Sequence, residues 1–239
     1  AAVERQRREY RSMIEFENLS KRYDTGYEAL SDVSFHMGAG EMAFLTGRSG
    51  AGKSTLLKLL MLMERPTSGH LYINGTNLNQ LSKAQVPTYR RQLGVVFQNH
   101  RLLMDRSLYD NVALPLQVSG YPRAEMGRRV RAALDSVGLL ERELLKPAEL
   151  SGGEQQRVGI ARAIVHKPRI LLADEPTGNL DPQLSAEIMA LFRRFQTVGV
   201  TVLIATHDVS LINRMRLRIL RLDDGTLAED SGKREKDPE

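Results

Sequence analysis

Short apolar runs alternate along the chain with stretches in which apolar positions recur at helical spacing. That alternation predicts strands joined by helices, an α/β layer architecture. Ile14 and Phe16 alternate with polar neighbours, the pattern of an edge strand. Met42-Ala43-Phe44-Leu45 reads as a short buried strand. The following segment carries Leu56, Leu57, Leu60 and Met61 on one helix face, and Pro66 and Gly69 break it. Leu71-Tyr72-Ile73 followed by Asn74-Gly75 predicts a strand and a tight turn, and Val95-Val96-Phe97 a buried strand ending at Gln98.

From about 107 to about 166 the pattern is mostly helical. Ser107 with Asp110 predicts a helix start of the capping-box kind, and 123–137 follows Pro122 as a helix that stops at Gly138. Alternation then returns. Ile170-Leu171-Leu172-Ala173 is apolar throughout, which suits a strand covered on both faces. Asp181-Pro182 predicts an N-cap and first turn, with Leu184, Ile188, Leu191, Phe192 and Phe195 on the buried face of its helix. A strand over 200–205 follows, and Ile219, Leu220 and Leu222 before Asp223-Asp224-Gly225 predict a terminal hairpin. No internal repeat is present. The expected architecture is a mostly parallel sheet interrupted by a helical insert.

Length and composition narrow the class. The chain has 239 residues, 41% of them hydrophobic, enough for one large domain with nested subdomains. No run of eighteen apolar residues occurs, so the chain is not expected to cross a membrane itself. Residues 1–12 are basic and poor in apolar residues, without the apolar segment of a secretory signal, and read as a disordered or cloning-derived extension. Residues 229–239 read as a polar tail, frayed from Ser231 onward. The absence of cysteine excludes disulfides and thiolate metal sites and fits a reducing compartment. The net charge of +5 is spread among interspersed positive and negative residues, without a basic stripe carrying aromatics, so nucleic acid is not an expected partner.

The chemistry begins at Gly47-Arg48-Ser49-Gly50-Ala51-Gly52-Lys53-Ser54-Thr55, which matches the phosphate-loop pattern G-x-x-x-x-G-K-[ST] in full. Glycines let backbone N–H groups curl around phosphates, and the helix that follows directs its positive end at the anion. Lys53 supplies a cation to the β- and γ-phosphates, and Ser54 a hydroxyl to Mg²⁺. Asp174 and Glu175 end the apolar strand that starts at Ile170. Asp174 is expected to hold Mg²⁺ through water and Glu175 to act as general base on the attacking water. Two adjacent carboxylates at a buried strand end themselves imply a nearby cation.

With these motifs in order, 13–228 resembles an ATP-binding cassette (ABC) ATPase. Ser151-Gly152-Gly153-Glu154-Gln155 resembles the signature motif that sets this family apart from other phosphate-loop proteins. The resemblance implies a P-loop NTPase (RecA-like) core with a mainly parallel sheet and an antiparallel β subdomain. An α-helical subdomain, about 99–166, is nested within the cassette. It implies that Tyr23 stacks on adenine, that Gln98 touches Mg²⁺ and the attacking water, that Asp181 belongs to a loop crossing a dimer interface, and that His207 reaches the γ-phosphate. ATP and Mg²⁺ are the implied cofactors. A homodimer is implied on ATP binding, with Ser151, Gly152 and Gly153 of one copy closing on the nucleotide held by the other.

Glu175-Pro176-Thr177-Gly178-Asn179-Leu180-Asp181 resembles a branch that includes lipoprotein-release and macrolide-export ATPases. Within it, the segments 40–47 and 103–107 look most like those of bacterial cell-division ATPases, which usually carry Asp where Asn99 stands here. That likeness implies a peripheral protein on the cytoplasmic face of the bacterial inner membrane. Its implied partner is an integral membrane protein resembling FtsX, through which it regulates peptidoglycan hydrolysis. The alternative is the ATPase subunit of a lipoprotein-release or macrolide-type exporter.

Overall fold

The computed structural model of the chain describes residues 12–232, and the readings made for 1–11 and 233–239 lie outside the described residues. Contacts divide the described chain into two compact units, 12–87 with 203–232 and 88–202.

The first unit opens with β1 (Ser12–Arg22), β2 (Glu28–Gly38), β3 (Met42–Thr46), α1 (Lys53–Leu60), β4 (Ser68–Ile73) and β5 (Thr76–Asn77). Four of these strands form an antiparallel sheet in the order β2-β1-β4-β5. Its buried face is assembled across strands. Phe16 stands opposite Phe35 and Leu71, and Ile14 opposite Met37 and Ile73. The rings of Phe16 and Phe35 stack with centroids 4.6 Å apart. β1 is therefore an interior strand, paired on both edges, and not the edge strand its alternation suggested. Alternation reports a sheet with one covered face; it carries no information about which backbone edges are paired. Asn74 and Gly75, with φ 47° and 76°, make the expected tight turn between β4 and β5. β2 had no counterpart in the sequence reading, although Leu30, Val33, Phe35 and Met37 are all buried.

The second unit begins within α2 (Val86–Arg90) and contains β6 (Leu93–Val96), α3 (Leu108–Val118), α4 (Arg123–Ser136), α5 (Gly152–Ile164), β7 (Ile170–Asp174) and α6 (Pro182–Thr197). β6 and β7 run parallel, Val95 opposite Leu172. Three helices pack around Leu108, Val112, Leu116, Val130, Leu134 and Val158, all fully buried. At the start of α3 the Ser107 hydroxyl accepts from Asp110 N–H at 3.0 Å and donates to the Asp110 carboxylate at 2.9 Å. Asp is one methylene shorter than the Glu of a capping box, and its carboxylate meets the hydroxyl here. Buried Asn111 accepts from Leu103 N–H at 2.8 Å and donates to Leu103 O and Ser107 O, pinning the segment before α3.

β8 (Thr201–Ala205) leads the chain back into the first unit, which ends with α7 (Val209–Met215), β9 (Arg218–Asp223) and β10 (Thr226–Asp230). β9 pairs parallel with β3 and antiparallel with β10, completing the expected terminal hairpin. β3 is buried at every position, so each strand face meets other protein. Met61, expected on the face of α1, is instead its C-cap, and Leu59 joins the buried stripe. No helix of the described residues is long and apolar enough to cross a membrane.

Candidate nucleotide site

In the first unit, β3 runs into the loop 47–52 and the loop into α1. Gly47, Gly50 and Gly52 hold φ of 146°, 81° and 109°, a region that side chains rarely adopt. A methyl group on Gly47 would lie 2.5 Å from the Leu222 carbonyl oxygen, so the loop is seated directly on β9. α1 has Gly52 at its N-cap and no side chain capping it. Its first-turn N–H groups and the positive end of its dipole are thus left for an anion. Lys53 Nζ donates to Gly47 O at 2.6 Å and Arg48 O at 3.0 Å. Two of the three ammonium donors hold the side chain at the loop mouth, and the third is available. Arg48, Ser49, Gly50 and Ser54 are exposed, while Ala51 is buried and its carbonyl accepts from Gly225 N–H at 3.1 Å.

The Tyr23 hydroxyl lies 3.3 Å from Thr55 Oγ1, and its ring stacks on Tyr27 with centroids 6.4 Å apart. Tyr27 in turn donates to Gly50 O at 3.1 Å. His207 is exposed just beyond β8. The preceding Thr206 donates its N–H to Leu45 O at 3.0 Å, which anchors that strand end two residues before Gly47. The first unit thus gathers the loop, Lys53, Ser54, Tyr23 and His207.

The second unit gathers the remaining expected residues. Asp174 is the last residue of β7, and Glu175 follows with φ 48°, a left-handed conformation that costs a non-glycine residue roughly 1–2 kcal/mol. Both are half-buried. A methyl on Gly178 would lie 3.4 Å from Gln98 Nε2 and 3.7 Å from Glu175 Cβ, so Gln98 and Glu175 flank the same turn. Ser151 is the N-cap of α5. Its hydroxyl accepts from Glu154 N–H at 3.3 Å, and its N–H donates to the Glu154 carboxylate at 2.9 Å, a complete capping box. The Ser151 backbone N–H first, its hydroxyl next, and then Arg142 and Arg157 hold the Glu154 carboxyl below the usual range. Ser151 and Gly152 are exposed, whereas Gly153 is packed so closely on α6 that a methyl there would lie 3.0 Å from Leu184 Cδ1. Asp181 caps α6, accepting from Gln183 N–H at 2.9 Å and Leu184 N–H at 3.0 Å. An ion pair between Arg157 and Glu187 ties α5 to α6.

One residue of this arrangement escaped the sequence reading. Arg162, in the last turn of α5, donates to Arg101 O at 2.6 Å and His100 O at 2.5 Å. Those residues have φ of 49° and 36° and directly follow Gln98 and Asn99. The signal was present: Arg162 shares a helix face with buried Val158 and Val165, an unusual place for a charge. The oxygen donors Ser54 and Asp174 are of the type Mg²⁺ takes. Among the described residues no group of three or more His, Asp or Glu could hold a metal.

The sequence profile of the ABC transporter family matches residues 30–178. The chain is 59% identical over 215 residues to the cell division ATP-binding protein FtsE of Escherichia coli K12, covering 90% of this chain and 97% of that protein. It is 51% identical over 216 residues to FtsE of Haemophilus influenzae, covering 90% and 99%. Among solved structures it is similar to a dimeric bacterial ABC transporter cassette, MJ0796, with TM-score 0.82 and 35% identity over 92% of this chain and 98% of that one. A post-hydrolysis state of the same cassette, bound to ADP and Pi, matches with TM-score 0.82 and 34% identity over the same shares. On the phosphate loop, the capped glycine-rich helix start and these likenesses, the chain belongs to the ABC transporter family as one of its ATP-binding cassette ATPases.

Proposed function

We propose that this ATPase works as a nucleotide-closed homodimer that drives a membrane partner resembling FtsX, and thereby regulates peptidoglycan hydrolysis in bacterial cell division. The observation that carries the reading is the exposed start of α5. Ser151 and Gly152 face solvent, and a methyl on Gly152 would meet nothing within 4 Å. The N–H groups of Gly152 and Gly153 stand at the positive end of a thirteen-residue helix. A surface of this kind suits the γ-phosphate of a nucleotide carried by a second copy, and the solved relative MJ0796 is described as dimeric.

In this reading the loop 47–52, Lys53, Ser54 and Thr55 bind the phosphates and Tyr23 the base. Glu175 takes the proton of the attacking water, Gln98 orients that water, and His207 contacts the γ-phosphate. Ser54, Gln98 and Asp174 would hold Mg²⁺, which neutralises charge on the β- and γ-phosphates. ATP favours the closed dimer because its γ-phosphate is attracted to both copies; loss of phosphate after hydrolysis removes that differential affinity. The likeness to FtsE across nearly the whole chain supports a place at the cytoplasmic face of the inner membrane, held there by the partner.

Glu175→Gln tests the reading, since it removes the base and keeps the shape. With ATP and Mg²⁺ the variant should hydrolyse at least about a hundredfold more slowly and run as a dimer by size exclusion with light scattering. A variant that stays monomeric at saturating ATP refutes the dimer. Recovery of an exporter permease with it from membranes, in place of an FtsX-like protein, refutes the cell-division role.

A further inference from the structure

A second cationic site lies in the second unit, at the end of β7 opposite Asp174. α4, the segment after α5 and the end of α6 enclose a cleft of about 770 Å³, within the size range of small-molecule sites. Its rim carries Arg128, Arg129, Lys167 and Arg169. Its floor is apolar and includes Ile164, Phe195 and Val200. None of the described residues lining it is acidic, and none of the four cations forms an ion pair among the described residues. Arg129 is held in place by its own surroundings. Its guanidinium sits 4.6 Å from the centroid of the Tyr121 ring, and its Nε is shut away from water without a hydrogen-bond acceptor among the described residues. A buried donor without an acceptor is unfavourable, and an anion in the cleft would satisfy it. β7 separates this cleft from Asp174 by five residues, roughly 16 Å of strand, so the two ends of β7 serve different ligands.

We propose that this cleft binds an organic anion that joins a phosphoryl group to an apolar body. A phosphomonoester matches the unbalanced charge better than a single carboxylate does, and planar guanidinium groups engage its oxygens in pairs. The apolar floor selects for a ligand that is more than its phosphate. The same chemistry is available from a soluble organophosphate and from the headgroup region of an anionic phospholipid.

The probes are hexyl phosphate, inorganic phosphate and hexanol, titrated calorimetrically into the full chain with ADP and Mg²⁺ in saturating excess. Hexyl phosphate should bind about tenfold or more tightly than inorganic phosphate, and hexanol should not bind measurably. The double variant Arg129→Ala, Arg169→Ala should lose about tenfold or more of that affinity. Ala132→Trp, which fills the cleft from an exposed position and keeps all four charges, should lose it as well. ADP affinity, measured on the same samples, should be unchanged in both, which certifies folding and separates this cleft from the phosphate loop. Co-sedimentation with phosphatidylcholine vesicles with and without phosphatidylglycerol then distinguishes the sources. Retention by the anionic vesicles that both variants lose identifies the lipid headgroup; hexyl phosphate binding without retention identifies a soluble ligand. Hexyl phosphate binding no tighter than inorganic phosphate, or undiminished in Ala132→Trp, would overturn the proposal.

Discussion

Replacing Arg162 with methionine asks whether the loop after Gln98 is held in a strained shape by the helix that begins at Ser151. His100 and Arg101 both lie in the left-handed region, at φ 36° and 49°, which costs roughly 1–2 kcal/mol for each non-glycine residue. Against this, the Arg162 guanidinium donates to both of their carbonyls, and hydrogen bonds from a charged donor contribute roughly 1.5–3 kcal/mol each. The bonds outweigh the strain, so the loop stays bent. Methionine keeps the apolar stem beside Val158 and Val165 and removes the donors. The loop should then relax and recover most of its strain, leaving a net loss of only about 1–2 kcal/mol in global stability. On the role proposed above for Gln98 at the attacking water, catalysis should suffer far more, because relaxing the segment that directly follows it shifts that side chain, and a shift of about 1 Å near reacting atoms costs up to about a hundredfold. The expected result is a kcat lowered about ten- to a hundredfold, with nucleotide affinity unchanged and a small shift in the urea midpoint. Steady-state hydrolysis, labelled-nucleotide titration and urea unfolding measure the three quantities. An unchanged kcat would show that the loop holds its own shape. A stability loss above about 4 kcal/mol would show that the guanidinium supports the core of the unit and not the loop alone.

Gly47→Ala places a methyl 2.5 Å from the Leu222 carbonyl at a φ of 146°, and should cost about 2–4 kcal/mol and weaken nucleotide binding; unchanged urea unfolding would mean the loop has slack. His166 should make the fold lose stability in acid. Burial pushes its imidazole below the ordinary histidine range, Nε2 lies 2.9 Å from Leu93 O, and Nδ1 has no partner among the described residues. Below a pH of about 6.5 the unfolded chain takes up a proton that the folded chain resists. Stability is therefore complete above that pH and falls as pH drops toward the depressed folded value. The urea midpoint should decline as pH falls below about 6.5, and His166→Gln should flatten that decline; an equal slope in the variant would assign it elsewhere.

Features set by neighbours in sequence were legible from the chain alone. The loop 47–55 could be read because a turn, a helix start and a cation that serve one anion must lie within a few residues of each other. The same locality exposed the caps at Ser107 and Asp181 and the doubly covered strand at Ile170. Long-range partners were not legible. β1 lies inside its sheet because β2 and β4 both find its backbone edges, and backbone pairing leaves no mark on side-chain type. Arg162 reaches carbonyls 61 and 62 residues earlier in the chain. The basic cleft gathers side chains from three segments, each of which looks like ordinary solvated charge in sequence. Local chemistry depends on residue type and spacing along the chain, whereas these contacts depend on which distant surfaces folding brings within hydrogen-bond reach, and only the tertiary structure decides that.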